Sequence, residues 1–166
     1  KIGDTWYHGL QNVVDRNRRN GITTILAPFS WEGGPLVGYT PSQTSFWTAF
    51  KGRLAQMAGQ FKAQPDVWLE VWNEPYAWEP SKPTDPDVWL SDMKQMVDAI
   101  RGTGATNTIV VPGGRMAADE KVLLARGHDL LARRGALAAT ATMRRKPIAA
   151  TQNPPRNAPA MPVQTP

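Results

Sequence analysis

Apolar positions along the chain recur in two periods, one helical and one extended, and the two take turns. Trp6, Leu10, Val13 and Val14 fall at helical spacing until Gly21 stops the pattern, which predicts a helix over 6–19. Residues 22–27 follow as a short β-branched run and read as a buried strand. A loop containing Gly33, Gly34, Pro35, Gly38 and Pro41 leads to a strong helical pattern over 45–62, with Ser42, Thr44 or Ser45 available as its cap. Pro65 and Asp66 punctuate the chain. Residues 67–72, Val-Trp-Leu-Glu-Val-Trp, are too short and too rich in β-branched and aromatic side chains for a helix, and form the second expected strand. A Pro-rich loop over 75–86 precedes a third helix, 87–101, closed by Gly102 or Gly104. A third strand at 108–111 and a fourth helix at 119–133 complete the pattern.

Helices and short buried strands therefore alternate without hairpin turn signals, which implies right-handed βαβ units and a parallel sheet. The strands holding Ile25, Val71 and Val110 are expected side by side, with Val71 in the middle one. Periodicity does not separate an open doubly wound sheet from a section of a barrel. Gly102-Thr103-Gly104 precedes its strand instead of following one, so it is no dinucleotide fingerprint.

Composition changes this picture mainly at the C-terminal end. Residues 130–166 contain no Asp, Glu, Trp, Tyr or Phe but nine Ala and six Pro, and all 14 aromatic residues lie before residue 90. Such a stretch buries too little apolar surface to offset its chain entropy, so 134–166 is expected to be a disordered Ala/Pro/Arg-rich tail. A natural linker and out-of-frame coding sequence are equally compatible with the abrupt change. The net charge of +5 also belongs to the tail, because residues 1–129 hold all 14 acidic residues and 13 of the 19 basic ones. Arg144, Arg145 and Lys146 form a basic run without interleaved aromatics, so no nucleic-acid partner is expected. No run of about 20 apolar residues exists, and no membrane partner is expected. The first residue is Lys1 and no charged stretch leads into an apolar one, so no signal peptide is expected within this sequence. Cysteine is absent, and His8 and His128 lack ligand spacing, so neither a metal nor a cofactor is expected. The 166 residues fall short of the roughly 200 that a short (β/α)8 barrel needs.

The informative stretch is Val67 to Tyr76. It puts a carboxylate, Glu74, beside an amide, Asn73, at the C-terminal end of a buried parallel strand, where barrel enzymes keep their catalytic groups. Strand alternation places Glu70, Trp72 and Glu74 on one face. Glu70 then lies deeper, and a buried carboxylate there must be paired or hydrogen-bonded, which makes it a supporting group rather than a proton donor. Trp31, Tyr76 and Trp78 fall in loops that follow strands, where flat rings could stack on a substrate or simply pack. Trp47, Trp68 and Trp89 are expected in the core. Glu32, Glu79 and Glu120 also lie in such loops and read as solvated acids.

At these residues the chain resembles glycoside hydrolase family 5, the cellulase and mannanase family of barrel glycosidases. Val67, Trp68, Leu69, Glu70, Val71, Trp72, Asn73, Glu74 and Pro75 satisfy its nine-position signature in register. Weaker resemblance extends from Tyr7 to Arg133. It implies an α/β fold, a partial (β/α)8 TIM barrel of three parallel strands and four helices, with 1–133 as a glycosidase catalytic domain. It further implies that Glu74 is the general acid/base, that Asn73 binds the sugar 2-hydroxyl, and that the substrate is a secreted enzyme's β-linked polysaccharide, a glucan or mannan, cleaved with retention. Retention needs a second carboxylate about 5–5.5 Å away. In the family that nucleophile ends the seventh strand, whereas the strands here look like the third, fourth and fifth. The nucleophile, an arginine of the second strand and the His and Tyr of the sixth are missing from the match. Leu26-Ala27-Pro28-Phe29-Ser30-Trp31 also stands where an Asp-x-His is common. Three readings follow: a hydrolase, a non-catalytic relative with at most carbohydrate binding, or an unrelated α/β domain with a chance Asn-Glu-Pro. The sequence leaves oligomeric state open.

Overall fold

A computed structural model of the chain describes residues 4–79 and 81–131, with side chains from His8 onward. The tail expected at 134–166 and the last two residues of the expected fourth helix lie outside the described residues. The described residues form five strands and four α-helices: α1 (Asp4–Arg19), β1 (Thr24–Leu26), β2 (Ser30–Trp31), β3 (Gly34–Pro35), α2 (Trp47–Phe61), β4 (Val67–Glu70), α3 (Pro86–Arg101), β5 (Ile109–Val110) and α4 (Lys121–Leu131).

The three long-range strands pair in the order β1-β4-β5, all parallel, with Thr24 opposite Val67 and Leu69 opposite Ile109. Every crossover between them carries a helix, the arrangement expected of consecutive βαβ units. One face of the sheet is closed. Leu26, Val67, Leu69 and Ile109 pack there with Phe50, Leu54, Met57 and Phe61 of α2 and Trp89, Met93, Met96 and Ile100 of α3. These helix positions recur at steps of three and four, the stripe that buries one side of a helix.

On the opposite face, Ile25 and Trp68 sit in register and are 50% and 36% exposed. Trp68 is therefore not a core residue, contrary to the sequence reading, because no described element forms a second layer over that face. Trp89 is fully buried, and Trp47 is half-buried with its indole N–H on Gln95. Val13 likewise turns out of the core while Val14 is fully buried, and Val13 lines an apolar groove of about 510 Å³ beside β1 together with Leu10, Phe29 and Met57.

Local chemistry explains most element boundaries. Asp85 caps α3 by accepting from the amides of Asp87 and Val88, and Pro86 supplies the fixed φ of the first turn. At α2 the expected side-chain cap is not made. A 3-10 turn at Pro41–Gln43 leads in instead, and Thr44 spends its hydroxyl on the Pro41 carbonyl. The chain also makes a hairpin that the sequence reading did not anticipate: β2 and β3 pair antiparallel across Glu32 and Gly33, whose φ values of 49° and 83° are the positive values that let a two-residue turn match the right-handed twist of its strands.

The N-terminal edge of the sheet is tied by polar contacts. Arg18 grips Asp66 through two hydrogen bonds of 2.7 and 2.8 Å. Asn107 donates its side-chain amide to the carbonyls of Phe61, Gln64 and Val67, fixing the end of α2 to the start of β4. No described helix is long and apolar enough to cross a membrane.

Candidate active site

β4 ends at Glu70, sooner than the sequence pattern suggests, although the Val71 amide still donates to Val110. Residues 71–78 then run across the C-terminal edge of the sheet as an irregular segment. Strict alternation from Glu70 to Glu74 consequently fails: Trp72 is fully buried, and Glu74 is exposed with φ 47°.

Backbone strain marks this edge. Among the described residues, the non-glycine residues with positive φ are Glu32, Glu74, Tyr76, Arg115, Met116 and Ala117, and all six lie in segments that follow β1, β4 or β5. Each such conformation costs about 1–3 kcal/mol and persists only where neighbours hold it. Here the neighbours are identifiable. The segment after β1 holds Glu74 from one side, with Gly38 donating to the Glu74 carbonyl and Tyr76 donating to the Tyr39 carbonyl, each at 2.8 Å. From the other side the Met116 amide donates to the carbonyls of Pro75 and Tyr76 at 2.8 and 3.1 Å. Three post-strand segments therefore converge on the residues that flank Glu74.

Glu70 is half-buried below this segment. Burial raises its carboxyl pKa, and the nearby Glu74 charge raises it further. The sequence reading required a hydrogen-bonded or ion-paired Glu70, but among the described residues it makes neither contact; burial is accommodated by favouring the protonated form. Asn73 is half-buried, and its side-chain amide makes no hydrogen bond among the described residues.

The three aromatic candidates separate. Trp31 belongs to β2 rather than a loop, and its ring stacks on Phe46 with centroids 5.1 Å apart and planes at 8°. Phe46 in turn stacks on Trp72, whose indole N–H donates to the Leu36 carbonyl, so Trp31 is the outer member of a packed aromatic column. Tyr76 is drawn inward. Its ring is buried and its hydroxyl donates to Asp92 on α3 at 3.2 Å, which leaves no face to offer a sugar. Trp78 alone of the three stands open, 54% exposed, with the Arg115 guanidinium 5.1 Å from its ring centre.

Two features of this edge escaped the sequence. Asp92 is fully buried, and burial raises its carboxyl pKa against the weaker opposing pulls of Ser42, Tyr76 and Lys51. Its Oδ1 lacks a partner of good hydrogen-bonding geometry. The signal was a carboxylate in phase with Trp89, Met93 and Met96. The second feature is the run Arg115–Ala117, which follows two close-packed glycines: a Cβ on Gly114 would lie 2.6 Å from Thr84 Oγ1, and that same hydroxyl accepts from the Arg115 amide. Glu32, Glu79 and Glu120 are all exposed, and Glu79 is ion-paired with Lys82. No cluster of three His, Asp or Glu side chains suited to a metal occurs among the described residues.

A family model described as Cellulase (glycosyl hydrolase family 5) matches residues 1–154. Three solved structures share the architecture. The glycoside hydrolase 5 lichenase from Caldicellulosiruptor sp. F32, in complex with cellotetraose, is 24% identical with a TM-score of 0.56, over 75% of this chain and 37% of its own. A broad specificity endoglucanase from an uncultured bovine rumen ciliate is 22% identical with a TM-score of 0.54, over 72% and 33%. XacCel5A in complex with cellopentaose is 25% identical with a TM-score of 0.52, over 69% and 34%. The chain thus spans about a third of the length of the structures it matches. Three parallel strands with four helices accord with a section of a (β/α)8 barrel, the α/β class read from the sequence.

Proposed function

The chain belongs to glycosyl hydrolase family 5, and on that premise we propose that it carries the general acid/base carboxylate of a retaining β-glucan hydrolase, Glu74. A glycosidic oxygen is a poor leaving group until protonated. In this reaction the Glu74 carboxyl gives its proton to that oxygen as the bond to the anomeric carbon breaks. A second carboxylate bonds the same carbon, and the Glu74 carboxylate then takes a proton from the water that releases the sugar. Asn73 donates to the sugar 2-hydroxyl, and the half-buried Glu70 lies beneath as a supporting group.

The observation that carries this reading is the placement of Glu74: exposed, at the C-terminal edge of the middle parallel strand, with its strained backbone held from both sides. Barrel enzymes build their sites on that edge. The names of the matched structures, an endoglucanase and a lichenase, favour β-glucan over mannan as the substrate. Such a polymer lies outside cells, so an extracellular location goes with the reading.

A non-catalytic role with carbohydrate binding is the second reading. It is favoured by the absence, among the described residues, of any carboxylate other than Glu70 that interacts with Glu74. Both readings require a sugar site. Calorimetric titration with cellotetraose and mannotetraose tests it: binding of the gluco-oligomer, weakened by Asn73→Ala, is expected, and failure to bind either sugar overturns both.

A further inference from the structure

The left-handed run Arg115–Ala117 is held in place at some cost in backbone strain, and several of its contacts run to the segment that begins at Glu74. Met116 bonds to Pro75 and Tyr76. One residue earlier, Arg115 reaches Trp78 in two ways: its guanidinium lies 5.1 Å from the ring centre, and its Nη2 approaches the Trp78 carbonyl at 3.5 Å. Arg115 is itself anchored by Thr84, whose hydroxyl accepts its backbone N–H at 3.1 Å. The Arg115 Nε is buried without a hydrogen-bond partner, and the guanidinium makes no ion pair among the described residues.

We propose that Arg115 is a positioning residue for carbohydrate, holding Trp78 as a stacking platform in register with Glu74. The inference rests on the sugar-hydrolase reading above. An indole bearing a cation near one face is attracted to it by its quadrupole. The other face of a half-exposed ring is then available to the C–H face of a pyranose. Trp78 without this brace is a side chain in an irregular loop, free to change rotamer. With it, the ring, Pro75 and Tyr76 are fastened to one rigid neighbour, so a sugar on Trp78 is held at a fixed distance from the carboxylate of Glu74. The run of positive φ is the means by which consecutive residues of one short loop reach both ends of the 75–78 segment.

The test is titration of the whole chain, with 15N-labelled indoles, by cellopentaose. The Trp78 resonance is assigned by its loss in Trp78→Phe. In the unsubstituted chain Trp78 is expected to shift on titration. Arg115→Ala is expected to weaken binding roughly three- to thirtyfold, the range of a cation–π contact, with Arg115→Lys restoring most of it and the thermal midpoint little changed. Thr84→Val, which removes only the hydroxyl that anchors the Arg115 amide, is the second variant should Arg115→Ala not fold, and is expected to weaken binding in the same direction. Sugar binding that leaves Trp78 unshifted overturns the inference while the hydrolase reading stands. Equal affinity in Arg115→Ala, or in Thr84→Val where that variant is the one read, overturns it as well. No binding in any assay sinks both.

Discussion

The amide of Gly38 donates to the carbonyl of Glu74 at 2.8 Å, and the next contact of this pair of segments, Tyr76 to Tyr39, has the same length. The candidate acid is thus clamped by the segment after β1, a different βα unit from the one that bears it.

Gly38 makes that clamp with φ +80°, and a Cβ there would meet the end of the Met116 side chain at 3.2 Å. Met116 can give way, whereas the backbone conformation cannot. Gly38→Ala is expected to lower stability by about 1–2 kcal/mol, read as a drop in the urea midpoint at unchanged slope. An unchanged midpoint would mean that the loop relaxes without cost.

Asp92 gives the fold a pH dependence with a definite sign. Burial raises its folded-state pKa, so the native state holds the proton more tightly than the unfolded chain. Stability therefore falls as pH rises from the ordinary carboxylate range through the raised value, and Glu70 acts in the same direction. Asp66, whose pKa is lowered chiefly by its hydrogen bond to Arg18, acts oppositely and favours the fold above the ordinary range. Asp92→Asn should flatten the decline, measured as urea midpoints at about pH 5 and pH 8. An equal or steeper decline in the variant contradicts the assignment.

Tyr76→Phe removes the hydroxyl that serves buried Asp92. Leaving a buried acceptor unpaired costs about 1–3 kcal/mol, and a denaturant titration at neutral pH should show a loss of that size. Stability equal to the unsubstituted chain would mean that water or Ser42 takes over.

Asn107→Ala withdraws one donor group from three backbone carbonyls. A loss of about 2–3 kcal/mol is expected, again read by denaturant. A loss below about 0.5 kcal/mol, the low end for one hydrogen bond, would mean that the junction of α2 and β4 is held by packing alone.

The regular elements were legible because their periods are strong: the α3 stripe of Trp89, Met93, Met96 and Ile100 and the apolar run at 67–71 each admit one reading. Order and direction of the three strands followed from crossover rules. The hairpin of β2 and β3 was hidden because two-residue strands have no period to detect. Trp68 was misplaced because a flat apolar residue on a strand reads as core whether or not anything covers that face. At the candidate site, Asn73 and Glu74 were legible from a local signature. The contacts that shape their surroundings, Gly38 and Met116 above all, are tertiary backbone bonds that leave no mark in sequence. Tyr76 shows the same limit, since only the position of Asp92 on another element decides that its ring turns inward.

The most direct test of the central claim, that Glu74 is one of two required carboxylates and that this chain does not supply the other, is hydrolysis of soluble β-glucan by this chain and by Glu74→Gln. Acid/base help alone is worth about 10²–10⁴-fold, far short of what an unactivated glycosidic bond requires, so little or no reducing sugar is expected from either protein. Robust hydrolysis abolished by Glu74→Gln would contradict the claim by placing the nucleophile within this chain or between two copies of it, and robust hydrolysis that survives the substitution would remove Glu74 from the chemistry.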